Sequence, residues 1–306
     1  MRKSVVLIPL VLFALTGCHK GFEGPESGEG NVLEKVSLGV SAVDVSDLAP
    51  DTKSSIEITN KISFKWSSDD IVGMYPNKGA QAYFEMSDHA GEEVADFNGG
   101  GWALKSASTY AVYYPYDYDH RDRQSIPFTY KGQKQKGKGN YNHLADYQFM
   151  AHGAATPVDG ACNYSMERIE AITMFNLTLP VIATYNSLSI RLKDGSPITV
   201  STHLDISEED FEISPDETSK IFTVELEQVT TTQVNEPVKF FAMLPPQNWF
   251  GKRLIVSVTT ADGDCCQAEI DGKNMLHNHA YQYTATLTTD YGSLVEKFNG
   301  EDGKWE

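Results

Sequence analysis

The sequence predicts an all-β protein, a sandwich or a barrel, and three observations predict it. Apolar residues alternate with polar ones at a period of two, as where Val36, Leu38 and Val40 stand against Ser37, Gly39 and Ser41. Candidate strands recur about every eight to twelve residues with turn residues between them, unlike the alternating helices and strands of an α/β protein. The chain is 41% hydrophobic, with 15 Tyr, 14 Phe and Thr-rich runs, which favours a folded, strand-rich body over disorder.

Ahead of the strands, residues 1–17 read as an export signal. Arg2 and Lys3 give a positive start, and Val5 to Leu15 is almost unbroken apolar chain. That run is shorter than the roughly 20 residues a membrane-spanning helix needs, so cleavage is expected rather than permanent insertion. Leu15-Thr16-Gly17-Cys18 resembles the lipobox of bacterial lipoproteins, in which the cysteine becomes the lipidated first residue. Several acyl chains on Cys18 would anchor stably where one chain binds marginally. Removing residues 1–17 takes away Arg2 and Lys3 and no acid, so the formal charge of -17 becomes -19. So acidic a chain argues against nucleic acid or anionic lipid headgroups as partners.

Residues 18–34 hold glycines and acids in a run that reads as a flexible tether. Lys35 to Val40 is the first strand candidate, and Val43 and Val45 follow after a break in phase. Leu48-Ala49-Pro50-Asp51 makes a turn, and Ile56-Glu57-Ile58 starts another strand. Phe64 and Trp66 share a face, Ser67 to Asp70 turns, and Ile71 to Tyr75 is extended. The rhythm continues through Ala82 to Met86, Val94 to Phe97 and Tyr110 to Tyr116. Residues 117–141 carry Arg121, Arg123, Lys131, Lys134, Lys136 and Lys138, a basic island in an acidic chain, and read as a solvated loop or a site for an acidic ligand. The length suits two domains, divided in the loop Gly153 to Gly160: residues 35–160 and 161–306. Met166, Ile169 and Met174 are spaced roughly as on a short helical turn; the rest of the second half reads as further strands.

Little in the chain asks for chemistry. There is no Gly-x-Ser-x-Gly elbow, no phosphate loop and no helical zinc-protease motif, and no catalytic residue, metal or cofactor is nominated. His277 and His279, two apart, would share one strand face, yet two ligands do not make a metal site. Asp69 and Asp70, adjacent on a turn, point apart. Beyond Cys18, the cysteines Cys162, Cys265 and Cys266 are odd in number and fit no zinc pattern; one of the vicinal pair reaches Cys162, or all three stay thiols. Tyr114, Tyr116 and Tyr118 alternate onto one side and read either as core or as an aromatic platform for a glycan.

Taken in order, the lipobox, the tether, FKWSSDDIVGMY, YAVYYPY, HLADYQFMAHG, FFAMLPPQNW and HNHAYQYTATL resemble the fimbrillin family of Bacteroidales lipoproteins, the stalk, tip and anchor subunits of type V pili. The resemblance covers roughly residues 35–290. It implies two tandem transthyretin-like β-sandwich domains, a cell-surface lipoprotein of the outer membrane, no enzymatic activity, and other fimbrial subunits as partners through β-strand addition. In stalk subunits of that family a trypsin-like protease removes the first strand and a strand of the next subunit takes its place. The matching strand here is Lys35 to Val45, with Val36, Leu38, Val40, Val43 and Val45 as its apolar residues. No arginine lies between Lys3 and Arg121, so Lys35 and Lys53 are the candidate cleavage points. An uncut, lipidated chain would suit an anchor or a non-polymerising surface protein better than a stalk subunit. The expectation is a minor tip or anchor subunit; the alternative is a non-polymerising lipoprotein that binds a glycan or a host protein.

Overall fold

The computed structural model describes residues 33, 35–40, 43–44, 56–58, 61–99, 107–289, 298–299 and 304–305. In chain order the principal strands are β1 (Lys35–Val40), β2 (Ile71–Pro76), β3 (Ala82–Asp88), β4 (Val94–Gly99), β5 (Tyr110–Tyr114), β6 (Ile126–Thr129), β7 (Lys134–Lys136), β8 (Met150–Ala155) and β9 (Ala161–Arg168). They continue as β10 (Ala171–Leu179), β11 (Thr184–Leu192), β12 (Ser201–Asp205), β13 (Glu212–Pro215), β14 (Phe222–Thr230), β15 (Glu236–Leu244), β16 (Arg253–Thr260), β17 (Cys265–Asp271) and β18 (His279–Thr286).

The first unit is a closed ring in the order β1-β9-β8-β5-β2-β3-β4, with β4 returning to β1. Each step is antiparallel except β1 to β9, which is parallel. Alternation fills the interior: Val72, Met74, Phe84, Phe97, Tyr110 and Val112 are buried. Trp66 sits among Phe64, Phe97 and Tyr114 at centroid distances of 4.7, 4.9 and 5.4 Å, all edge to face. Gly73 is required by close packing, because a Cβ there would meet the Tyr113 ring at 2.0 Å. A ring has no open edge, so this unit is a barrel where the family resemblance implied a sandwich.

The second unit is layered. A five-stranded sheet, β7-β14-β11-β16-β17, and a three-stranded sheet, β15-β10-β18, share one core. Leu188, Ile190, Val224, Val256 and Val258 come from the first sheet, and Phe175, Leu177 and Phe240 from the second. A small sheet, β13-β12-β6, adjoins them.

Three sequence expectations change. The division at 160/161 falls inside one hairpin, because β9 pairs with β8 and with β1; the chain leaves the ring only at Ile169-Glu170. The helical turn over Met166–Met174 is extended chain. Tyr164, Met166 and Arg168 point inward while Ser165 and Glu167 point out, a period of two that mimics helical spacing when only the apolar residues are counted. The basic segment 117–141 is an ordered strap across the second unit, where β6 pairs with β12 and β7 pairs in parallel with β14. Its lysines meet acids: Lys131 pairs with Glu217, Lys134 lies 3.2 Å from both Glu225 and Glu227, and Lys138 lies 2.6 Å from Glu236. Charge compensation with neighbouring strands accounts for those lysines without an acidic ligand.

Candidate functional site

The closing strand β1 is the candidate site. Its sequence KVSLGV places Val36, Leu38 and Val40 inside the barrel, the first two with no exposure at all. Leu33, within the stretch read as tether, is also buried; the apolar pair Val32-Leu33 ahead of Lys35 was the available signal. Burying each such side chain is worth about 1.5–3 kcal/mol. Both backbone edges of β1 are used, Val36 opposite Cys162 on the parallel side and Phe97 on the antiparallel side. Trp66 donates its indole N–H to the carbonyl of Leu38 at 3.1 Å.

Polar contacts hold the open end. Asp96 of β4 accepts from Ser37 Oγ at 2.5 Å and receives Lys35 Nζ at 2.5 Å. The hydrogen bonds from Lys35 and then Ser37 keep the Asp96 carboxyl below its usual range. Sequence reasoning missed Asp96, since nothing local marks an acid as the partner of a residue 59 positions away. Among the described residues the backbone partners of β1, β4 and β9, are distant in the chain, so these contacts are non-local. Removing it would open a slot bounded by the free backbone edges of β4 and β9.

The other expectations on this strand are divided. Lys35 begins β1, so a cut behind it would leave Val36–Val40 in the slot; of the two candidate points, only a cut at Lys53 would release the strand. Val43 belongs to a short backbone pairing with Ile62. Lys53, Val45, Cys18, the signal segment 1–17 and the tether other than Leu33 lie outside the described residues.

The three tyrosines do not share a face. Tyr114 turns into the barrel, packs on Phe64 and Trp66, and donates its hydroxyl to Asp70 Oδ1 at 2.9 Å. Burial pushes the carboxyl of Asp70 up. Tyr116 instead lies 5.7 Å from Tyr83, and Tyr118, 69% exposed, carries Arg121 over its ring at 5.1 Å. Tyr83 and Tyr118 are exposed and Tyr116 is half-buried, because β5 ends at Tyr114 and the alternation ends with it.

His277 and His279 diverge. His279 Nδ1 meets the carbonyl of His277 at 2.7 Å, while the His277 ring turns to Glu167 at 3.7 Å and Phe211 at 5.6 Å. His277, but not His279, lines a cleft of about 380 Å³ between the ring and the loop before β13, with His152, Glu209 and Asp210 on its walls. Gly153 makes that junction close, since a Cβ there would meet the Glu208 carbonyl at 2.2 Å. Among the described residues no three His, Cys, Asp or Glu side chains converge for a metal. Cys162, Cys265 and Cys266 are free thiols, and burial pushes that of Cys266 up to about 11.

Beneath the junction Arg168 and Glu170, both fully buried, lie 3.9 Å apart where the chain crosses between the units. Burial pushes the Glu170 carboxyl up to about 8 against the pull of Arg168, and Glu170 Oε2 accepts the N–H of Phe149 at 3.2 Å.

No protein-family profile and no curated protein matches the chain. Solved structures do. A candidate cell adhesion protein of Bacteroides ovatus aligns over 86% of this chain and 95% of its own at 13% identity, with a TM-score of 0.53. One from Bacteroides uniformis aligns over 72% and 88% at 12% identity, with a TM-score of 0.51. A looser likeness, TM-score 0.40, is to the fimbrial tip protein Mfa3 of Porphyromonas gingivalis, over 82% and 94% at 12% identity. At these identities the likeness is one of fold.

Proposed function

We propose that this chain, which shares its fold with candidate cell adhesion proteins of Bacteroides, is a structural component of a type V-like fimbrium, a minor tip or anchor subunit that joins its neighbours by strand exchange. One observation carries this: a barrel closed by a strand held on both edges yet, among the described residues, tied to no local hairpin partner. Such a strand can be replaced by another of the same alternation, because backbone hydrogen bonds supply the affinity and alternate apolar side chains supply the fit. Lipid on Cys18 would hold the uncut chain at the outer membrane.

The test is the N-terminal sequence and lipid state of the protein taken from its native cell surface. A chain starting after Lys53, free of lipid and laddering on unboiled gels, supports maturation and exchange. A chain starting at lipidated Cys18 supports an anchor. Failure of a Lys35–Val45 peptide to bind protein proteolysed behind β1 would remove strand exchange from the proposal.

The pair of exposed Tyr83 and half-buried Tyr116, 5.7 Å apart, favours a second reading, a lipoprotein that binds a glycan. It expects Tyr116→Ala to weaken binding on a sugar array at unchanged melting temperature; a wild-type protein silent on the array counts against it.

A further inference from the structure

On the small sheet β13-β12-β6, remote in role from β1, three side chains stand in a line. Ser125 precedes β6, His203 lies in β12 opposite Pro127 and Ser214, and Asp216 follows β13. Ser125 Oγ is 2.6 Å from His203 Nδ1, and His203 Nε2 is 3.0 Å from Asp216 Oδ1. The other carboxylate oxygen of Asp216 accepts the hydroxyl of Ser201 at 2.9 Å.

These contacts fix where the protons are. The hydrogen bond from Ser201, with that of His203 added, holds the Asp216 carboxyl below its usual range against the opposing effect of burial, so it is ionised. An ionised carboxylate only accepts, so Nε2 of His203 must carry a proton. In the neutral imidazole Nδ1 is then the unprotonated nitrogen, and the Ser125 hydroxyl donates to it. A hydroxyl aimed at a base, with that base oriented by a third group, is the arrangement that activates a serine.

We propose that Ser125 is an activated nucleophile that accepts an acyl group from an activated ester, with His203 as its base and Asp216 as the positioning residue. In the step, Ser125 Oγ bonds to the ester carbonyl carbon as its proton passes to His203 Nδ1. The bond from that carbon to the leaving oxygen breaks, and the leaving oxygen takes the proton from Nδ1. The chain ends as a Ser125 ester and the released alcohol, with His203 neutral again.

The surroundings narrow the substrate class. The Ser125 N–H already donates to the Asp122 carbonyl at 3.1 Å, and that of Gln124 to Asp122 Oδ1 at 2.9 Å. With those donors engaged, neither is left to stabilise a developing oxyanion, an effect that is usually a large part of acyl transfer. The site therefore suits aryl esters, whose leaving groups are good, and a single acylation rather than turnover of amides. Ser125 is exposed, which leaves the hydroxyl open to such a reagent.

The experiment incubates the full chain with p-nitrophenyl acetate and, separately, with a fluorophosphonate probe, then maps adducts by intact mass and peptide sequencing. The expected result is one adduct on Ser125, absent in Ser125→Ala. Its rate should drop at least tenfold in His203→Gln and in Asp216→Asn while the melting temperature holds. A purely structural clamp between β6, β12 and β13 would move the melting temperature and leave Ser125 no more reactive than other exposed serines. Absence of a Ser125 adduct in the wild type overturns the proposal whatever the variants do, as does labelling indifferent to His203→Gln.

Discussion

Both units of the molecule have a sheet edge that another piece of chain must close, and they close it by different means. In the ring, the gap between β4 and β9 is filled backbone to backbone by β1. In the second unit, the outer edge of β15 meets side-chain amides from the β7 strap. Gln133 accepts the N–H of Met243 at 2.9 Å and donates to its carbonyl at 2.6 Å. Gln135 accepts the N–H of Phe241 at 2.9 Å and donates to the carbonyl of Lys239 at 3.0 Å. Each amide supplies one donor and one acceptor, as a strand residue would. The β7 backbone meanwhile pairs with β14 in the opposing sheet, so the strap joins both layers. The strap is held at both ends, by β6 on one side and by the short 3-10 helix Asn142–Tyr147 and β8 on the other, whereas nothing among the described residues pairs ahead of β1 except through the same slot. On the proposed reading, the strap tethered at both ends stays in place and β1 is the piece that exchanges.

The strongest way to break that contrast is Leu38→Asp. Leu38 is fully buried in the barrel, and an acid there loses apolar burial and must desolvate a charge, at a cost of about 3–5 kcal/mol. Urea unfolding should show it as a lower midpoint, and added Lys35–Val45 peptide should raise the melting temperature of the variant. A loss under about 1 kcal/mol would mean that β1 contributes little and that the slot is not its own.

Gln133→Ala tests the other edge. It leaves the N–H and carbonyl of Met243 buried without their partner, which costs about 1–3 kcal/mol. The contrast predicts that this variant, though less stable in urea, takes up Lys35–Val45 peptide no more readily than wild type. Increased uptake would show the two edges to be coupled.

The asymmetry between the edges also decides what could be read from the chain. The alternation of Val36, Leu38 and Val40 was legible because an inward-facing strand must bury every second residue. Its two neighbours were not, since pairing to Phe97 and Cys162 is set by tertiary register and leaves no local mark. The Gln133 and Gln135 amides were hidden for another reason. A polar run between lysines looks like solvated loop, and only the position of β15 turns those amides inward. Tyr114 and Tyr116 were separated by the end of β5, which alternation cannot foresee. Ser125 and His203, 78 positions apart, meet only because β6 crosses to the second unit.

Between the edges lies the crossing at Arg168 and Glu170, where pH sharpens the comparison. Burial places Glu170 at about 8, above its ordinary 4.5, so the folded chain holds this proton more tightly than the unfolded one. The stabilisation is complete below 4.5 and is lost as pH rises through about 8. Glu170→Gln cannot titrate, so urea midpoints measured from pH 5 to 9 should fall less steeply for the variant than for wild type. Parallel profiles would mean that Glu170 stays ionised beside Arg168, and that the crossing is a charge pair.

The smallest effect is expected at the rim of the slot. Asp96 has its carboxyl lowered by Lys35 and Ser37, so its contribution is present above the ordinary carboxylate range and is lost as pH falls through the folded value. The ion pair it makes with the half-exposed Lys35 is worth about 0.2–1 kcal/mol, and Asp96→Asn should cost no more than that at neutral pH. Global stability is a poor readout for so small a term, but exchange of the strand is a sensitive one. In Asp96→Asn, amide hydrogens of Val36 to Val40 should exchange faster by up to about fivefold, while those of β10 and β15 stay unchanged. In wild type the same acceleration should appear on acidification and vanish again at neutral pH. If β1 and β10 accelerate together, the strand opens only when the whole molecule does, and its exchange in an assembly would need the cut behind it to come first.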